Sequence, residues 1–184
     1  MHYLHKILVY IPDALADADN CDLDETISAV RAYADSETEP YYGQAFDWRE
    51  PETAGRWRNV YPENVLLAAD DVDYFVEELE NAKRNQCNEI DCCLAELKRT
   101  VGINLEEIIN GILIRGSYEE ELNGFNFMTP YYLHNISSHL HGDYRCDSYF
   151  FNSHDYTSRL YPTDFEKIKS NPTDWALVVF DYHN

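Results

Sequence analysis

The sequence predicts a single α+β domain over residues 1–184, with a small mixed or antiparallel sheet and several helices. Apolar runs at 3–11 and 175–182 have the composition of strands, and we expect these N- and C-terminal strands to share one sheet. Apolar residues at three- and four-residue steps predict one long helix near 70–101. At 184 residues, of which 45% are hydrophobic, the chain is long enough to bury an ordinary core.

The first third of the chain contains a strand, a helix and a loop region. Pro12 ends the first strand, and a helix then begins after Asp22, which forms a capping-box pattern with Glu25. Residues 36–62 combine turn formers with aromatic side chains. This composition predicts an ordered loop region with a short strand, pinned to the core by Trp48 and Trp57.

The rest of the chain is predicted to alternate helices and strands. The long helix ends at Gly102, and Asn104 then caps a shorter helix. An acidic loop or short helix follows over 116–124. The remaining predicted elements are a helix over 130–141, a strand over 148–152, a short helix over 162–169 and the final strand.

The charge balance limits the partners of this chain. Its 34 Asp and Glu outnumber 14 Lys and Arg, which gives a net charge of −20 spread along the sequence. Because phosphate contacts need Lys and Arg, binding to nucleic acid or to an anionic membrane is disfavoured, and a basic protein is the favoured partner. The chain has no apolar run long enough to span a membrane, and its first residues do not resemble a signal peptide. The five cysteines do not have the spacing of a metal site. Together, these observations predict a cytoplasmic protein with reduced thiols.

Between residues 59 and 82 the chain carries seven carboxylates and no Lys or Arg. On the predicted helix, Asp73, Glu77 and Glu80 are spaced i, i+4 and i+7 and therefore line one face. Steps of about 4.5–6 Å are shorter than the phosphate spacing of a DNA strand, but long Glu side chains absorb the difference, so the row is a candidate DNA mimic. The alternative is the solvated face of an amphipathic helix. The candidate partner-binding residues are Asp70, Asp71, Asp73, Glu77, Glu78 and Glu80, followed by Glu119, Glu120 and Glu121.

One group of residues offers enzymatic chemistry. His139, His141, Asp143 and His154 are of types that ligate Zn²⁺ or another divalent metal, as in a metal-dependent hydrolase or nuclease. On a helix, however, His139 and His141 face different ways, and the sequence has no HExxH or CxxC motif. The alternative is a set of scattered or hydrogen-bonded histidines, in a chain without catalytic residues, metal or cofactor.

Cys146 is a further candidate nucleophile, because histidines lie near it in the sequence. Its neighbours Arg145 and Asp147 act on the pKa of its thiol in opposite directions.

The aromatic residues of the loop region allow two interpretations. They form either a hot-spot patch at a protein interface or the packing of the loop region onto the core. The nearby Arg49, Arg56 and Arg58 are expected to hold adjacent acidic loops. The aromatic residues concerned are Tyr41, Tyr42, Phe46, Trp48, Trp57 and Tyr61.

In size, in the acidic helix around 70–80 and in its Tyr-rich α+β composition, the chain resembles small acidic inhibitors with which mobile elements such as phages disarm host nucleases. These are the antirestriction and anti-CRISPR proteins, among them type II-A inhibitors of Cas9 of similar length. The resemblance implies a non-enzymatic inhibitor that binds the basic nucleic-acid channel of Cas9, with its guide RNA, through a DNA-mimicking surface. Two hypotheses stand beside it: the metal-dependent hydrolase, and an acidic accessory protein of a mobile element that binds another basic protein.

Overall fold

A computed structural model describes residues 1–16, 22–101 and 129–184 of the chain. The predicted α+β class is confirmed, since a five-stranded mixed sheet that includes both terminal strands is combined with several helices. The strands are β1 (His2–Tyr10), β2 (Trp48–Glu50), β3 (Val65–Leu67), β4 (Phe150–Asn152) and β5 (Trp175–His183). The helices are α1 (Ile11–Ala14), α2 (Leu23–Thr38), α3 (Val72–Val101), α4 (Thr129–His141) and α5 (Pro162–Ser170).

The sheet is built on the antiparallel pair of β1 and β5, which stay in register over nine residues from His2↔His183 to Tyr10↔Trp175. β4 pairs in parallel with the other side of β1. β2 and β3 both pair with the free side of β5, β2 near its end and β3 near its beginning. The predicted pairing of the two terminal strands is therefore confirmed, and these strands occupy the centre of the sheet.

The two central strands are apolar because both faces of the sheet are covered. Side chains alternate along a strand, so Ile7 and Leu8 enter different clusters. Ile7 packs in the cluster that contains Val30 of α2. Leu8 packs in the cluster that contains Phe75 of α3 and Ile168 of α5. This sandwich explains why strand composition is so clear in these two segments.

The predicted start of α2 is confirmed in detail. The backbone N–H of Glu25 donates to Asp22 Oδ1 at 2.9 Å, and the backbone N–H of Asp22 donates to Glu25 Oε2 at 3.0 Å. The long helix is confirmed as well, and α3 continues without a break through residues 85–88. The predicted elements over 104–124 lie outside the described residues.

The chain forms two compact units, residues 1–86 with 142–184, and residues 87–141. The first unit holds the whole sheet with α1, α2, α5 and the beginning of α3. In the described part of the second unit, Cys93 and Leu97 of α3 and His139 of α4 are buried. An i, i+3 ion pair between Glu96 and Arg99, at 2.7 Å, lies on its surface.

In the loop region, the side chain of Arg49, and not Trp48, anchors the chain to the core. Trp48 is 46% exposed, so the prediction that it pins the region is wrong, whereas Trp57 packs partly buried against the core. Arg49 of β2 is buried, and its guanidinium lies 5.0 Å from the ring centre of Phe46. It donates to Thr38 Oγ1 at 2.5 Å and to the Asp35 carbonyl at 2.9 Å. Arg49 thereby satisfies the last turn of α2 and ties it to the sheet.

After Arg49, Gly55 is a second point at which the loop region lies close to the sheet. Gly55 has a positive φ of 52°, and a Cβ atom there would lie 2.4 Å from Oδ2 of Asp181. Asp181 is buried in β5 and accepts a hydrogen bond from the backbone N–H of Arg56 at 3.0 Å. Its carboxylate therefore has no room to move aside for a side chain at position 55.

We expect Gly55→Ala to destabilise the protein by roughly 3 kcal/mol, the sum of the left-handed backbone and the overpacking against Asp181. Gly43→Ala is the matched control, because Gly43 also has a positive φ, of 78°, but a Cβ there meets nothing within 4 Å. That variant is expected to lose only about 1 kcal/mol. Urea unfolding of both variants measures the difference, and equal losses would contradict the close approach.

Candidate functional site

The first turns of α3 are fixed by their buried face. Phe75, Leu79 and Ala82 lie on one side of the helix and are fully buried in the cluster beneath the sheet. The helix begins after Asp71, whose Oδ1 accepts a hydrogen bond from the backbone N–H of Tyr74 at 3.0 Å. Since this face is anchored, the residues opposite it are held toward solvent.

Five of the predicted carboxylates lie exposed at this end of α3, and we call them the carboxylate surface: Asp70, Asp71, Asp73, Glu77 and Glu80. Apart from Asp71, which caps the helix, their side chains make no hydrogen bond or ion pair with any residue of the described ranges. Two such charges about 6 Å apart in water repel by about 0.7 kcal/mol. For Asp71 and Asp73, which lie at the helix N-terminus, the helix dipole offsets part of this cost. The row of carboxylates ends at Glu80. One turn later lies the positively charged Arg84, which donates to Asn81 Oδ1 at 3.1 Å.

Glu78 does not belong to this surface, which corrects its inclusion among the partner-binding candidates. Its carboxylate is buried, and its Oε2 lies 3.0 Å from Nζ of Lys6 on β1. Lys6 Nζ also donates to the backbone carbonyl of Glu78 at 2.9 Å. The hydroxyl of Tyr61 donates to Glu78 Oε2 at 2.5 Å. The periodicity that places Glu78 toward the core is visible in the sequence, but its partner Lys6 lies 72 residues away.

The Lys6–Glu78–Tyr61 group is an interior ionic contact between the central strand and α3. Burial lowers the pKa of Lys6, and the charge of Glu78 acts in the opposite direction. Burial and the hydrogen bond to Glu78 raise the pKa of Tyr61. Because Glu78 must face Lys6, this contact is compatible with only one rotational orientation of α3 about its own axis. With Glu78 inside, Glu77 and Asp73 are directed outward.

The second predicted carboxylate group, Glu119–Glu121, lies outside the described residues, and its exposure and partners stay predictions.

The structure places the candidate metal ligands in separate surroundings. His139 is buried in α4, whereas His141 is exposed and its Nδ1 lies 2.8 Å from the Ser137 carbonyl. His154 Nδ1 lies 2.6 Å from Asp13 Oδ2, and Asp143 is exposed. Within residues 1–16, 22–101 and 129–184, no three His, Cys, Asp or Glu side chains are placed to hold one metal ion. The predicted hydrolase site is therefore not formed by these residues.

Cys146 is also unsuited to nucleophilic chemistry. Burial, together with the charge of Asp147, raises the pKa of its thiol to about 12. The thiolate, which is the reactive form, is therefore scarce at neutral pH.

Some aromatic residues of the loop region pack in the core and others are exposed, so neither core packing nor an interface patch accounts for all of them. Phe46 and Tyr61 are buried in the core, which favours packing. Tyr42 and Trp48 are exposed by 59% and 46%. Of the three arginines expected to hold acidic loops, Arg49 forms ion pairs with Asp35 of α2 and with Glu39 in the turn that follows, at 2.5 and 2.9 Å. Arg56 and Arg58 form no ion pair with the residues that the structure describes.

A buried imidazole, which sequence reasoning missed, lies at the centre of a polar network in the sheet. His5 Nδ1 is 2.9 Å from the Tyr144 hydroxyl, and His5 Nε2 is 2.7 Å from the Cys146 carbonyl. Tyr182 stacks on the ring, with centres 4.1 Å apart. Burial lowers the pKa of His5 to about 3 despite these contacts, so the imidazole is neutral. Because His5 is fully buried, we assign it to the scaffold and not to a reaction site.

Comparison with known protein families, curated proteins and solved structures finds no match to this chain. The fold and site define an acidic α+β protein that carries an exposed carboxylate surface on a rigid helix. In the described part of the chain, no helix has the length and apolar character that crossing a membrane requires.

We expect Glu78→Gln to cost about 3–5 kcal/mol, because the buried Lys6 ammonium loses its counter-ion. Glu77→Gln, one residue away and exposed, is the matched control and is expected to change stability by less than about 0.5 kcal/mol. Chemical denaturation of the two variants gives the comparison. A Glu78→Gln variant as stable as Glu77→Gln would show that the ionic contact does not hold α3.

The lowered pKa of His5 makes stability depend on pH. Between about 6.5 and about 3 the unfolded chain binds the proton that the folded chain excludes, so stability falls as the pH falls through this window. From pH 7.5 to 4.5 this single group is expected to remove about 2–3 kcal/mol. His5→Gln should therefore lose that much less than the wild type over this range in urea unfolding. His141→Gln, which removes an exposed imidazole, should follow the wild type.

Proposed function

We propose that this protein is a non-enzymatic acidic inhibitor of a nucleic-acid-binding effector, most concretely a Cas9 nuclease with its guide RNA. The observation that carries the proposal is the carboxylate surface, in which Asp70, Asp73, Glu77 and Glu80 have no counter-ion among the described residues. Unneutralised carboxylates on a rigid support are what a basic nucleic-acid groove attracts.

The spacing of the row supports a match to a phosphate backbone. From Asp73 to Glu80 the helix rises by roughly 10.5 Å. This length carries three carboxylates at steps somewhat shorter than the spacing between phosphates of one DNA strand, and the long Glu side chains absorb the difference. Its backbone is fixed before binding, so little conformational entropy is lost in the complex.

Three cations of the described chain are bound to partners outside the carboxylate surface. Lys6 is paired with Glu78, Arg49 is paired with Asp35 and Glu39, and Arg31 donates to Asn64 Oδ1 at 2.9 Å. These positive groups therefore do not neutralise the carboxylate surface.

An accessory protein of a mobile element that binds another basic partner would use the same surface. The two functions differ in the partner, so the identity of the bound protein separates them.

We expect the triple variant Asp73→Lys, Glu77→Lys, Glu80→Lys to weaken binding to guide-loaded Cas9 at least about 30-fold, or about 2 kcal/mol. The reason is that each reversal replaces attraction to the basic channel with repulsion. Binding is measured by interferometry at 50 and 300 mM salt, and the wild type should bind more weakly at the higher salt and compete with target DNA.

The matched control is Glu52→Lys, Asp143→Lys, Glu166→Lys, which changes the net charge equally at exposed sites elsewhere. If both triple variants lose affinity equally, net charge alone drives binding and the carboxylate surface is not the contact. If the wild type does not bind Cas9 under either condition, the Cas9 assignment fails, and capture of another nucleic-acid-binding protein that the first triple variant alone loses identifies the accessory function.

A further inference from the structure

Two histidines meet at one end of the paired central strands, where β1 begins and β5 ends. His2 and His183 are direct cross-strand partners, and the centres of their rings are 5.1 Å apart with an angle of 70° between the ring planes. Both side chains are partly exposed, by 23% and 42%. Neither the proposed inhibitor function nor the core makes use of this pair.

Each imidazole is oriented by a carboxylate. His2 Nδ1 lies 2.8 Å from Asp181 Oδ1, and His183 Nδ1 lies 2.8 Å from Asp47 Oδ1. Asp181 is buried and also held by the backbone N–H of Arg56, while the backbone N–H of Asp47 donates to the His183 carbonyl at 2.9 Å. Because an ionised carboxylate only accepts hydrogen bonds, Nδ1 of each neutral ring carries the proton. The lone pair is then on Nε2 of both rings.

This arrangement is the one found around protein-bound transition metals. A histidine that ligates a metal through one nitrogen usually donates its other N–H to a carboxylate, which fixes the ring and raises its basicity. Two imidazoles prepared in this way on neighbouring strands provide two nitrogen ligands for Zn²⁺, Ni²⁺ or Cu²⁺.

The ring separation agrees with a shared ion. A metal–nitrogen bond of ~2.1 Å places the ion roughly 3.2 Å from the centre of an imidazole ring. Two rings that share one ion at the tetrahedral angle then have centres roughly 5.2 Å apart. The 5.1 Å between His2 and His183 is close to this value.

We propose that His2 and His183 form a two-histidine site for a divalent transition metal ion, with Asp181 and Asp47 as the groups that orient the ligands. The remaining coordination positions are filled by water or by a donor from another molecule. The site differs from the predicted hydrolase group, because it uses other histidines and has two protein ligands in place of four candidates.

The test is calorimetric titration of the full chain with ZnCl₂ in a buffer that does not bind metal. The wild type is expected to bind one equivalent, and His2→Asn and His183→Asn should each raise the dissociation constant at least tenfold. With Cu²⁺, electron spin-echo spectra should show two coupled imidazoles in the wild type and one in each variant.

His154→Asn is the matched control, since His154 is also paired with a carboxylate, Asp13 at 2.6 Å, but its ring neighbours are Tyr10 and Trp175 and not a second histidine. It should bind zinc like the wild type. Absence of stoichiometric binding by the wild type would overturn the proposal, whether or not the variants fold. An equal loss in His154→Asn would also overturn it, because the metal would then be held by scattered histidines.

Discussion

The pairing of β1 with β5 is the constraint on which the rest of the structure depends. Nine residues of each strand are in register, and the two strands form the centre of the sheet. This pair supplies the apolar surface against which α2, α3 and α5 pack. It also carries Lys6, which meets Glu78 on α3, and it brings His2 beside His183. A one-residue slip would exchange the two faces of the sheet and separate every one of these contacts.

Buried polar contacts determine which side chains this protein exposes at its surface. A long amphipathic helix packed only by Phe75 and Leu79 would tolerate some rotation about its axis, because dispersion contacts are not directional. The ion pair between Lys6 and Glu78 is directional and is costly to break when buried. It therefore defines which carboxylates are exposed. Arg49 has a similar role at the end of α2, where it binds the Asp35 carbonyl and the acidic side chains of Asp35 and Glu39.

Much of this fold is predictable from local patterns, whereas its polar contacts are not. Strand composition locates β1 and β5, the three- and four-residue period locates α3, and the pair Asp22 and Glu25 marks the start of α2. Each of these signals lies within a few residues. The partners of Glu78, Arg49 and His5 are distant in the sequence, and charge alone marks such residues as exposed. Composition likewise favours Trp48 as an anchor, although it lies at the beginning of a short edge strand and is 46% exposed.

The central position of β1 has a consequence for the synthesis of this protein. β1 is made before its main partner β5, and the helices α1 to α5 lie between the two strands in the sequence. During translation the apolar residues of β1 have only the short strand β4 to pair with until β5 has left the ribosome, since contacts so remote in sequence form late. Lys6 is likewise without a fixed position until then, so Glu78 has no partner to orient the nascent α3. The carboxylate surface is therefore expected to form in one cooperative step after β5 is made, and chains that end before β5 would carry the same carboxylates without their arrangement.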